Sequence, residues 1–123
     1  IEDSYFAAHI NGRHGRSQPV SEKVNQELGD CRWLMKFLKS KGAKASFVIS
    51  PLNPYYYNHL EKLQPTMDLL IEEAAKNGFP CLTLFEADSN RYDPALLGDV
   101  MHFSDYGWYK VDQFIINTYL SKP

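Results

Sequence analysis

Cysteine is scarce in this 123-residue chain: Cys31 and Cys81 are the only two. They lie far apart, and neither stands in a Cys-x-x-Cys or other metal spacing. That excludes a multi-bridge disulfide scaffold and a cysteine zinc site. Both fall in apolar periodic segments, so they are expected as buried free thiols. Long apolar runs are missing as well. None approaches the roughly 18 residues of a membrane-spanning helix, and no signal peptide is visible. Charge of one sign is missing: 13 Lys and Arg face 15 Asp and Glu, a formal net charge of −2. No field for nucleic acid or acidic membranes follows from that balance, and Arg13 and Arg16 are too thin a pair for a polyanion site. Internal repeats and low-complexity segments are absent. No Gly-x-Ser-x-Gly elbow frames a serine; Ser46 and Ser50 only flank an apolar run. His9, His14 and His59 have no ligand partners at metal spacing and read as solvated loop histidines. The chain opens on Ile1 rather than Met. It is read as an excised fragment, whose lack of a targeting segment says nothing about the parent protein.

What is present is enough for a core. Hydrophobic residues make up 44% and aromatics 14%, globular values for one domain or a piece of one. Residues 1–20 read as an N-terminal arm and a Gly-rich polar loop ending in Gln18-Pro19. Residues 21–123 read as the folded part. Ser21 is placed to cap a helix whose stripe is Val24, Leu28, Cys31, Leu34, Met35 and Leu38, with Gly42 to end it. Ala45 to Ile49 reads as a short buried strand, cut off by Pro51-Leu52-Asn53-Pro54. Pro65 and Thr66 open a second helix with Met67, Leu70, Ile71, Ala74 and Ala75 inward, closed by Gly78. Cys81 to Phe85 reads as a second strand. A long loop follows, with Asp93-Pro94 as a turn. Ser104 then caps a last helix whose expected core face is Trp108, Val111, Phe114 or Ile115, and Tyr119. The alternation of helix and strand argues for parallel strands in a three-layer α/β sheet. Two strands are too few for a free-standing doubly wound sheet. Further strands are expected, either within the loops or upstream of Ile1.

The chemistry concentrates in Asp99-Val-Met-His102, which runs through Phe103-Ser104-Asp105-Tyr106-Gly107-Trp108 into the last helix. An acid three residues before a histidine can orient the imidazole and stabilise its protonated form. The imidazole can then take a proton from a nucleophile. The competing reading makes Asp99 a turn cap and His102 an ordinary surface histidine. Asn53 also follows a strand's carboxyl end, where open α/β sheets build their sites. Its amide could donate to an oxyanion or a substrate carbonyl, or Asn53-Pro54 could be a plain turn. Tyr55, Tyr56 and Tyr57 could wall a substrate pocket or simply pack over the sheet end. Gly29-Asp30-Cys31 mimics an esterase nucleophile turn with Cys for Ser, but it lies inside an amphipathic helix and is rejected. The nucleophile is missing.

Asp99-Val-Met-His102 with Gly107-Trp108 resembles the C-terminal acid–histidine block of SGNH hydrolases. With the leader helix Leu28 to Leu38 and Phe47-Val48-Ile49-Ser50-Pro51-Leu52-Asn53, it resembles more narrowly the C-terminal part of the DltD family of D-alanine transfer proteins. The segment Phe103 to Tyr106 departs from the family's Leu-Gly-Trp type run. The resemblance implies an SGNH/flavodoxin-like α/β fold, with His102 as general base and Asp99 as its orienting acid. The serine nucleophile would come from an N-terminal half that is absent here. Asn53 matches the family's Pro-x-Asn loop by position only; with Tyr55 and Tyr56, read from the residues themselves, it is a candidate substrate-binding or oxyanion residue. The resemblance implies D-alanyl transfer to lipoteichoic acid, by serine-ester acyl transfer or by thioesterase or esterase chemistry, at the outer face of a Gram-positive cell membrane. The partners would be teichoic acid or a D-alanyl carrier and other D-alanylation proteins, with attachment through an N-terminal anchor. Neither metal nor organic cofactor is expected, and no nucleic acid. An SGNH-like polysaccharide O-acyltransferase and a non-catalytic interaction module are the alternatives.

Overall fold

The computed structural model describes residues 23–120. The expected arm and loop over residues 1–20, the Ser21 cap, His9 and His14 lie outside the described residues.

Helix α1, Lys23–Ser40, forms where the 3.6-residue apolar period was read. Only part of its stripe is inward: Leu28 and Met35 are buried, Cys31 and Leu38 half-buried, and Leu34 is exposed. Gly42, in the left-handed region at φ 65°, lets the chain turn out of the helix. Strand β1, Phe47–Ile49, follows. After a 3-10 turn at Leu60–Leu63, helix α2 runs Gln64–Asn77, with Pro65 in its first turn and Gly78 at φ 78° closing it. Strand β2, Cys81–Thr83, pairs parallel with β1 in the register Phe47↔Cys81, Val48↔Leu82, Ile49↔Thr83. Flanking bonds from Phe47 N–H to Pro80 and from Leu84 N–H to Ile49 extend the ladder at both ends.

The core sits between α1, α2 and the sheet. Met35, Ala74 and Phe79 form its centre, and Cys31, Leu38, Ala45, Phe47 and Cys81 pack around them. Ala74 is fully buried, so α1 can approach α2 closely there. An Arg32–Glu73 ion pair of 3.2 Å bridges the two helices at the margin.

The expectation of parallel strands joined through a helix is met. Among the described residues the sheet has two strands, so the architecture is mixed α/β with a small parallel sheet. The long segment after β2 holds a 3-10 turn at Pro94–Leu96 and an antiparallel bridge between Leu97 and Phe103. Helix α3, Asp105–Tyr119, starts directly behind that bridge. Its inward face is Gly107 and Val111, with Phe114 half-buried. The expected anchor Trp108 is instead 55% exposed, and Ile115 and Tyr119 are exposed too. Gly107 is the reason. A Cβ at Gly107 would collide with the Leu96 carbonyl oxygen and lie 2.7 Å from Phe103 Cδ1. The helix therefore seats on its glycine, and the bulky neighbour at 108 is turned outward.

Candidate functional site

β1 and β2 are parallel, so the segments that leave them emerge at the same end of the sheet. The loop after β1 carries Asn53, Tyr55 and Tyr56. The loop after β2 carries Asp99 and His102.

The Asp99–His102 turn is held at both ends. On the N-terminal side, Gly98 N–H donates to the His102 carbonyl at 2.9 Å, inside the Leu97–Phe103 bridge. On the C-terminal side, Ser104 caps α3, its hydroxyl accepting from Gly107 N–H at 3.0 Å and donating to the Ala95 carbonyl. Four residues are thus pinned between a strand-like bridge and a helix cap. Within them the two Asp99 oxygens have different partners. Oδ1 accepts from Met101 N–H at 2.8 Å and from His102 N–H at 2.7 Å. Oδ2 faces His102 Nδ1 at 2.7 Å.

The backbone N–H groups of His102 and Met101, in that order, hold the Asp99 carboxyl down at about 2, with the imidazole a smaller contributor. Asp99 is therefore ionised at neutral pH and can only accept. A 2.7 Å contact with an ionised carboxylate needs a proton on Nδ1, which leaves the Nε2 lone pair free in neutral imidazole. The His102 side chain is 76% exposed, so Nε2 is open to a reacting group. Asp99 thus caps the turn with one oxygen and faces the imidazole with the other.

Asn53 is fully buried. Its Oδ1 accepts from Tyr55 N–H at 2.9 Å, and its carbonyl accepts from Tyr56 N–H at 3.0 Å and Tyr57 N–H at 2.9 Å. It is the hub of the turn that ends β1, as the turn-former reading expected. Its Nδ2 is buried without a hydrogen-bond partner. That spare donor is the part an oxyanion role would use. No hydrogen bond joins Asn53 to Asp99 or His102. Tyr55 is 43% exposed, and its ring meets Tyr92 edge-on at 6.4 Å. Tyr56 packs edge-on against Tyr57 at 5.0 Å.

Tyr92 was missed by sequence reasoning. It is 5% exposed, and its buried hydroxyl has no partner. Burial pushes that phenol far above its ordinary range, helped by Asp93 and Tyr55. The signal available was an aromatic directly before Asp93-Pro94, a bulky ring in an otherwise polar loop. His59 is a loop residue as expected, at φ 60° and 3.1 Å from Glu61. Cys31 lies within α1, which agrees with rejecting Gly29-Asp30-Cys31 as an esterase nucleophile turn. No serine hydroxyl among the described residues hydrogen-bonds to His102. Ser104, its near neighbour, is committed to the α3 cap. Among the described residues no group of three His, Cys, Asp or Glu side chains could hold a metal ion, and no helix is long and apolar enough to cross a membrane.

No solved structure matches the chain. Among characterised proteins it is similar to Protein DltD of Bacillus subtilis, 27% identical over 85% of this chain but only 27% of that protein. The chain thus spans about a quarter of the length of the relative it matches. The family model described as DltD protein matches residues 1–121, almost end to end, and the chain belongs to the DltD family.

Proposed function

We propose that this chain is the acid–histidine portion of a serine acyltransferase or esterase that moves D-alanyl groups onto lipoteichoic acid at the outer face of the cell membrane. The observation that carries the reading is the Asp99 carboxylate, ionised by two backbone N–H bonds and set 2.7 Å from His102 Nδ1. His102 Nε2 takes the proton of a serine as that serine attacks the D-alanyl carbonyl. It returns the proton to the leaving group, and the same steps in reverse load the acceptor hydroxyl. Asp99 keeps the ring in the Nδ1–H tautomer and stabilises the imidazolium. The serine belongs to a region of the longer relative that these residues do not match. Asn53 Nδ2 is the candidate oxyanion donor, and Tyr55 and Tyr56 are candidate walls for the substrate. The reaction needs neither metal nor organic cofactor. Teichoic acid, the D-alanyl carrier and the other D-alanylation proteins are the partners, and attachment to the membrane lies outside these residues. An O-acyltransferase of another polysaccharide would use the same two residues.

The competing reading, a non-catalytic interaction module, draws on the outward apolar side chains of α3. One assay separates them. In a polypeptide extended to the length of the Bacillus relative, His102→Ala and Asp99→Asn should each lower D-alanyl ester turnover at least about 100-fold. Turnover within twofold of the parent for both variants sinks the catalytic reading. The 123-residue chain alone should be inert on small acyl esters. Turnover by it that His102→Ala abolishes would locate a nucleophile within the chain.

A further inference from the structure

The two cysteines, distant in sequence, pack against one and the same core cluster. Cys31 lies on α1 and Cys81 opens β2, and both side chains pack on the Met35, Ala74 and Phe79 cluster. Both are half-buried free thiols. They are near enough that a charge on Cys31 opposes ionisation of Cys81. Cys31 has a second outlook. It lines a cavity of about 320 Å³ between α1 and the start of α2, walled by Leu28, Leu63, Met67 and Leu70 with Glu27 and Thr66 beside them. Cys81 does not line that cavity.

We propose that Cys31 and Cys81 are an oxidisable dithiol, entered at Cys31 through this cavity and closed by Cys81 into an intramolecular disulfide. A low-molecular-weight disulfide such as cystine is the oxidant. The Cys31 thiolate attacks one cystine sulfur, forming a mixed disulfide and releasing one cysteine. The Cys81 thiolate then attacks the Cys31 sulfur, forming the Cys31–Cys81 bond and releasing the second cysteine. Two protein thiols are oxidised and one disulfide is reduced to two thiols, so atoms and electrons balance.

Burial raises both thiols above their ordinary range. Glu73 of α2 adds to this at Cys31, although Arg32 and Lys76 share its charge, and Cys31 itself adds to it at Cys81. Only thiolates attack, so oxidation is slow at neutral pH and quickens as pH rises. The bridge ties α1 to β2 across the whole β1–α2–β2 unit. It removes loop entropy from the unfolded chain and stabilises the fold. The inference is independent of the acyl-transfer reading.

The 123-residue chain is incubated with cystine, then alkylated and mapped by mass spectrometry without reduction. The expected product is a monomer with no alkylatable thiol, a Cys31–Cys81 linked peptide and a melting temperature raised by about 5–10 °C, reversed by a thiol reductant. Cys81→Ser should stop at the mixed disulfide on Cys31, and Cys31→Ser should leave Cys81 unmodified. Both are near-isosteric, and a thermal melt confirms that each is folded. A persistent mixed disulfide in the parent chain, a disulfide-linked dimer, or two thiols that stay alkylatable would each overturn the proposal. Equal reactivity of Cys81 in Cys31→Ser would overturn the order of attack.

Discussion

At the residue scale, Asp99 joins fold and chemistry. Its folded carboxyl is lowered from 3.8 to about 2, chiefly by the His102 and Met101 N–H groups. A lowered folded value means that its stabilising contribution is fully present above the unfolded value and is lost as pH falls through the folded one. Denaturation by urea across an acid series should therefore show a loss between pH about 4 and about 2 that Asp99→Asn lacks. Independence of that residue throughout the window would mean the two N–H bonds do not form in solution. The acid–histidine pair was legible in the sequence because both members lie within one turn. The spacing could not show that Oδ1 is spent on the backbone and Oδ2 on the ring. Asn53 was legible as a candidate but not as a fully buried hub, because burial depends on tertiary packing that local sequence does not show.

At the scale of elements, the helix and strand order followed from periodicity and from the Gly42 and Gly78 stops. The misread element is α3. Its sequence offers apolar residues on nearly every side, so periodicity alone could not say which stripe faces in. Contact with the Leu96 carbonyl decides it, and that contact exists only once the 3-10 turn has folded. Gly107→Ala should cost about 1–3 kcal/mol, because backbone cannot move aside as a side chain does. Denaturant titration measures it, and a neutral result would show that α3 sits further from the turn. Met35→Ala, at the α1–α2 contact, should cost about 2–5 kcal/mol on the same measurement.

At the scale of the whole molecule, two three-residue strands make a marginal sheet by themselves. Large apolar side chains face outward on two helices: Trp33 and Phe37, stacked at 5.4 Å on α1, and Trp108, Tyr109, Ile115 and Ile116 on α3. A helix apolar on most sides is characteristic of one packed within a larger body. The 123-residue chain should therefore bind an apolar dye such as ANS strongly, and a polypeptide of the relative's full length should bind it weakly. Equal dye binding by both would mean these faces stay open. Of the three-layer sheet expected from the sequence, the described residues show two parallel strands with helices packed on them.

The central claim is that Asp99 fixes His102 with its proton on Nδ1 and its Nε2 lone pair free. Nitrogen NMR of the neutral His102 ring in the 123-residue chain reads this directly. The predicted result is a bare Nε2 and a protonated Nδ1, with the preference lost in Asp99→Asn. A ring that carries its proton mainly on Nε2, or one unchanged by Asp99→Asn, would contradict the account.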